Sequence, residues 1–176
     1  MPDSHDFRNT TRFIPGTVGE PGQRVFYLQI GDELDTITLK LEKQQVRALA
    51  QFLKTVLDDL PSPTKQAGIN QFEAPPEADW IVGQIAVGVD ETEAKVVLVI
   101  DELIPEPESE EEVEITPEEH LDWDEPSGSR VRAHVSVDLA AGFIISSDTV
   151  MASGRPPCSL CGQPLDPDGH ACPRLN

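Results

Sequence analysis

Two stretches early in the chain, VFYLQIG at 25–31 and DTITLKL at 35–41, alternate apolar and polar positions. A period of two marks a strand with one covered face. Phe26, Leu28 and Ile30 share one side of the first, and Ile37, Leu39 and Leu41 one side of the second. Gly31-Asp32-Glu33 between them reads as a hairpin connection. The period then changes. In EKQQVRALAQFLKTVLDDL, apolar residues fall at Val46, Leu49, Ala50, Leu53, Val56, Leu57 and Leu60, the spacing of one helix face. Pro61 ends that helix.

Residues 61–78 read as a loop. Two more strands follow, WIVGQIAVGV and AKVVLVIDEL, with residues 90–93 as their turn. Residues 96–100 are apolar at every position, which predicts a central strand buried on both faces. RVRAHV at 130–135 alternates again, and Ser136 is a suitable N-cap for a second helix ending near Gly154, ahead of Pro156-Pro157. Residues 12–23, RFIPGTVGEPGQ, read as turns. A strand leading directly into a helix occurs twice, at 35–50 and at 130–144, a faint internal echo. The pattern predicts an α+β fold: a mainly antiparallel sheet of about five or six strands with two helices. The expected division is a domain at 1–153, with an acidic loop at 101–126, and a small tail at 154–176.

Composition narrows the function. The chain has 176 residues, 32 acidic and 13 basic, for a formal net charge of −19. That balance opposes nucleic-acid binding, which rests on Lys and Arg neutralising phosphates, and opposes anionic membrane surfaces. Residues 101–125 alone hold 13 Asp or Glu and no Lys or Arg. They read as a solvated loop or as a docking element for a basic protein partner, with Trp123 and Leu121 as apolar anchors. The first residues carry no apolar run of the signal-peptide kind, and the longest apolar runs are too short to span a bilayer. The expectation is a cytoplasmic protein.

All three cysteines lie within residues 158–172. Cys158, Cys161, His170 and Cys172 form C-x2-C-x8-H-x-C, three thiols and an imidazole in two pairs, the donor set zinc favours. Gly162 permits the tight knuckle after the first pair; Pro164, Pro167 and Gly169 turn the chain back to deliver the second. Asp166 or Asp168 is a substitute ligand. Four protein ligands make a closed site, so one structural zinc per chain is expected, and a tail this poor in apolar residues depends on it to fold.

Two sets of basic residues invite an anion. Gly16, Gly19 and Gly22 precede Arg24, but the run lacks the Gly-Lys-Ser/Thr of a phosphate loop and contains Glu20. Arg130, Arg132 and His134 share a strand face that reads as a polar sheet surface. No nucleophile elbow, His-Glu-x-x-His or dinucleotide fingerprint occurs. The chain therefore reads as a non-catalytic module working through protein contact. The alternative is a phosphate-linked enzyme or small-anion-binding domain using Arg24, Arg130, Arg132 and His134, which requires those residues to converge on one concave pocket.

The runs GTVGEPGQRVFYLQ at 16–29, LEKQQV at 41–46 and GRPPCSLCGQPLDPDGHACPR at 154–174 resemble the actinobacterial family called domain of unknown function 3090. The likeness covers nearly the whole chain, and Cys158, Cys161, His170 and Cys172 match the family's tail motif. The resemblance implies no established activity. It implies a functional partner among the proteins often encoded beside members, a histidine-phosphatase-like or a phosphoinositide-kinase-like protein. Residues 138–152 depart from the family's charged, Ala-rich helix: DLAAGFIISSDTVMA is more apolar and contains Gly142, which weakens the second helix without moving it.

Overall fold

The computed structural model describes residues 3–63, 70–75, 77–105, 128–165 and 169–175. Its elements are β1 (Ser4–Phe7), β2 (Arg12–Val18), β3 (Val25–Gly31), β4 (Thr36–Leu41), α1 (Lys43–Asp58), β5 (Trp80–Asp90), β6 (Lys95–Glu102), β7 (Arg130–Val135) and α2 (Val137–Ala152). All seven strands form one sheet in the order β1-β7-β6-β5-β4-β3-β2.

The sheet is mixed, with seven strands, which corrects the expected antiparallel sheet of five or six. β1 runs parallel to β7 and β4 parallel to β5. The β4–β5 pairing follows from α1, which carries the chain back so that β5 enters in the direction of β4. The two strands that sequence patterning missed are edge strands. β2 contains Pro15 and Gly16, read as turn residues, yet it pairs with β3 over its whole length. An edge strand has one neighbour, so a residue without an N–H is tolerated there. β1 is only four residues long, and Phe7 is its one buried side chain.

The echo is visible as topology. Three antiparallel strands and a 16-residue helix occur twice, as β2-β3-β4-α1 and as β5-β6-β7-α2. A single residue separates strand from helix each time. Glu42 donates its N–H to Gln45 Oε1 at 2.8 Å, and Ser136 Oγ accepts from the Leu139 N–H at 3.3 Å. The joint between the halves is short: Leu39 pairs with Trp80 and Lys40 with Ile81. Gln45 of α1 reinforces it, donating to the carbonyls of Val82 and Gly83 at 3.3 Å each.

The sheet must curl. Flat, its edge strands would stand about 29 Å apart, six spacings of about 4.8 Å. The link from Phe7 to Arg12 reaches at most about 17 Å. Accordingly His5 Nδ1 of β1 lies 3.1 Å from Asp35 Oδ2 in the β3–β4 turn. Both helices pack on the same face. Leu28, Leu39, Val46, Leu53, Leu98 and Phe143 belong to one buried core, and Phe143 of α2 stacks on Phe13 of β2 at 4.4 Å.

The second face differs between the halves. Over β2, β3 and β4 it is covered by residues 70–75, which follow α1. Gln29 Nε2 donates to the Glu73 carbonyl at 2.8 Å and Gln29 Oε1 accepts the Glu73 N–H at 3.2 Å; Phe72 stacks on Tyr27. Over β6 and β7 no helix among the described residues lies on that face. Val97 and Val99 are therefore half-buried while Val96, Leu98 and Ile100 are buried, so β6 is covered fully on one side rather than both. No helix among the described residues is long and apolar enough to cross a membrane.

Candidate metal centre

The tail leaves α2 at Ser153 and folds back on itself. Pro157 and Pro164 form an antiparallel bridge, and the Leu165 N–H donates to the Pro156 carbonyl at 2.9 Å. Within this small loop the Cys158 N–H donates to the Gln163 carbonyl at 2.7 Å, and the Gly162 N–H to the Cys158 carbonyl at 2.8 Å. Gly162 sits at φ +73°, a conformation that favours glycine, so the knuckle closes where a side chain would strain it. Gly169, at φ +87°, makes the return turn before His170.

The consequence is convergence. One donor atom from each of Cys158, Cys161, His170 and Cys172 lies within 4.8 Å of all the others. Ligands on a tetrahedral zinc are about 3.4–3.8 Å apart, given Zn–S of about 2.3 Å and Zn–N of about 2.1 Å. The Cys161 Sγ to His170 Nε2 separation of 3.5 Å already matches such an edge. All three cysteines are free, and Cys158 and Cys172 are buried.

Electrostatics favours a cation here. The Cys161 and Leu160 amides point at the Cys158 sulfur and, with the Cys161 thiol and His170, hold its pKa at about 6 against an opposing desolvation. The Gln163 amide favours the Cys161 thiolate as well, but desolvation and the neighbouring Cys158 and Cys172 sulfurs outweigh it and push that thiol up. Three sulfurs so close cannot all ionise without a compensating positive charge. The donor set therefore fits a metal ion. Asp166 and Asp168 lie outside the described residues, as do Leu121, Trp123 and almost all of the acidic segment.

The four basic candidates do not meet. Arg24, just before β3, lies over the ring of Phe26 on the helix-covered face. Its Nη1 donates to the Val150 carbonyl at 3.2 Å and to Ser153 Oγ at 2.8 Å, at the end of α2. Arg130, Arg132 and His134 lie on the opposite face of β7, with three strands between β7 and β3. Arg130 is taken up by Asp101, donating from Nε to Oδ1 at 2.5 Å and from Nη2 to Oδ2 at 3.2 Å. What Arg24 does face is a cleft shared with Lys43 and Arg155. These are single charges with no spacing signal to group them; only the fold, which brings the end of α2 beside Arg24, does so.

No curated protein and no solved structure matches the chain. The family described as Protein of unknown function (DUF3090) matches residues 5–172, from β1 through the last cysteine of the cluster. The match takes in both halves of the sheet and all four clustered donors, and the chain belongs to that family.

Proposed function

We propose that the chain is a non-catalytic cytoplasmic protein whose tail is held by one structural zinc ion and which works through protein–protein contact. The convergence of Cys158, Cys161, His170 and Cys172 is the observation that carries this reading. Three thiolates and an imidazole complete a tetrahedron, and zinc is the metal that this closed set suits best. With every position filled by protein, neither a substrate nor an activated water has a place on the metal. Its work is then to fold residues 158–175, which have too few apolar side chains to fold unaided.

The contact surface we favour is the acidic segment at 106–126, with Trp123 and Leu121 as its apolar groups. Its charge suits a basic partner, and the family resemblance puts a histidine-phosphatase-like or phosphoinositide-kinase-like protein first. Affinity purification from the native host, with the intact chain and with 106–126 deleted, tests this: a specific protein should be lost on deletion. The same set of proteins on both baits would refute the docking role. The separation of Arg24 from Arg130, Arg132 and His134 leaves a catalytic or anion pocket built from those four without support.

A further inference from the structure

β5 is 11 residues long, but β4 accompanies it only at Trp80 and Ile81. From Val82 to Asp90 its pairs all lie on the β6 side. β4 has ended at Leu41 by then, and the chain has turned into α1. Gln45 of α1 takes the carbonyls of Val82 and Gly83. Among the described residues, the edge of β5 from Gln84 to Asp90 has no main-chain partner on the side away from β6. The two outer edges of the sheet are guarded, β2 by Pro15 and β1 by its length of 4 residues. The β5 edge has no such guard: no charged residue and no proline occur from Trp80 to Val89. An edge of that kind is a template for another strand.

The helix stands off from β5. Gln45, Ala48, Leu49 and Phe52 of α1, with Ile85 and Val87 of β5, line a groove of about 330 Å³. All but Gln45 are apolar, and Phe52 is 50% exposed. At the matching place in the other half, α2 packs against β2, and Phe143 stacks on Phe13. Gln84, Ala86 and Gly88 are exposed on the face of β5 away from the groove. A Cβ on Gly88 would meet nothing within 4 Å, so open space surrounds the strand there.

We propose that this edge pairs with the same edge of a second copy of the chain, antiparallel about a twofold axis at Val87. Val87 is the middle residue of the free stretch, so a twofold there pairs the stretch with itself along its whole length. Gln84 then faces Asp90 of the other copy, Ile85 faces Val89, Ala86 faces Gly88, and Val87 faces its own equivalent. Each pairing is compatible: amide with carboxylate, apolar with apolar on the groove face, small with small on the other. Ile85, Val87 and Val89 of the second copy enter beside Ala48 and Phe52 and cover apolar surface. No like charges are opposed, which matters in a chain of net charge −19. The edge offers an unrelated strand no charge to recognise, whereas it complements itself. This contact is independent of the metal and of the acidic segment.

Analytical ultracentrifugation of the full-length protein at about 1–200 µM, a range that spans micromolar association, tests this. A monomer–dimer equilibrium should appear. It should tighten as salt rises from about 0.05 to about 0.5 M, because screening weakens the repulsion between two acidic chains. Ala86→Lys combined with Gly88→Lys sets lysine against lysine twice across the axis and should raise the dissociation constant about tenfold or more. Ala86→Lys combined with Gly88→Glu sets lysine against glutamate twice and should dimerise at least as well as the parent. Both positions are exposed and both double variants alter the same two residues, so a loss confined to the first is not misfolding. A monomer throughout that range overturns the proposal. That holds also if deleting 106–126 then allows dimerisation, since the protein's own chain would be the occupant. A dimer indifferent to the two lysines, or equal weakening by both double variants, overturns it as well.

Discussion

Asp79 and Thr38 clasp the two halves of the sheet. The Asp79 N–H donates to the Thr38 carbonyl at 2.8 Å, and the Thr38 N–H donates to Asp79 Oδ2 at 2.7 Å. The clasp sits beside the two-residue β4–β5 pairing, the narrowest joint in the sheet. Thr38 is buried, so losing the carboxylate leaves an N–H without a partner away from water. Asp79→Ala should cost about 1–3 kcal/mol. Denaturant unfolding measures it, and a change below about 0.5 kcal/mol, the range of unremarkable surface substitutions, would mean that the joint is held by α1 alone.

Gly16 is one of the places where the strap at 70–75 touches β2. A Cβ there would overlap the ring of Phe72. Gly16→Ala should therefore destabilise by about 1–3 kcal/mol, the usual cost of overpacking. Phe72→Ala removes the obstacle, so the double variant should be more stable than the sum of the single losses predicts. Strict additivity would show that the ring moves aside freely.

Most of the core was legible in the sequence because its elements have clear periods. The α1 face at Val46, Leu49, Ala50 and Leu53 is buried as its spacing predicts, and the β3 and β4 faces likewise. The edge strands were not legible. Pro15 and Gly16 carry turn chemistry locally, and only pairing with β3 makes their segment a strand. β6 was over-read because a run of Val, Leu and Ile specifies burial but not how many faces helices cover. Among the candidate sites, the convergence of Cys158, Cys161, His170 and Cys172 was legible from spacing alone. The open edge of β5 was not, because it depends on where pairing with β4 stops, which neither strand's own pattern records.

Metal affinity should fall on acidification. Each thiolate must shed a proton to bind, so protons and metal compete. Cys158 is held at about 6, below an ordinary thiol near 9, so its thiolate form favours the folded tail in full above about pH 9, progressively less from there down, and not at all below about 6. Transfer of zinc to a chromophoric chelator should therefore increase as pH is lowered. Release independent of pH would be incompatible with a thiolate-rich site.

Cys161→Ser tests whether the tail is a separate unit. A hydroxyl replaces a thiolate poorly, so metal binding weakens and residues 158–165 and 169–175 lose their fixed arrangement. Their amides should exchange rapidly while those of β6 keep full protection, because the core is built from elements that precede the tail. Loss of protection throughout β6 would show that the metal site is part of the main core and that a boundary near Gly154 is misplaced.

The central claim is that the cluster of Cys158, Cys161, His170 and Cys172 holds one zinc ion. Elemental analysis of the full-length protein, purified without added metal and without chelators, addresses it directly. The account predicts about one zinc per chain, the stoichiometry of a single four-ligand site, with the three thiols protected until the metal is removed. Less than about a tenth of an equivalent of zinc, where a four-ligand site demands one, together with three freely titrating thiols, would contradict it.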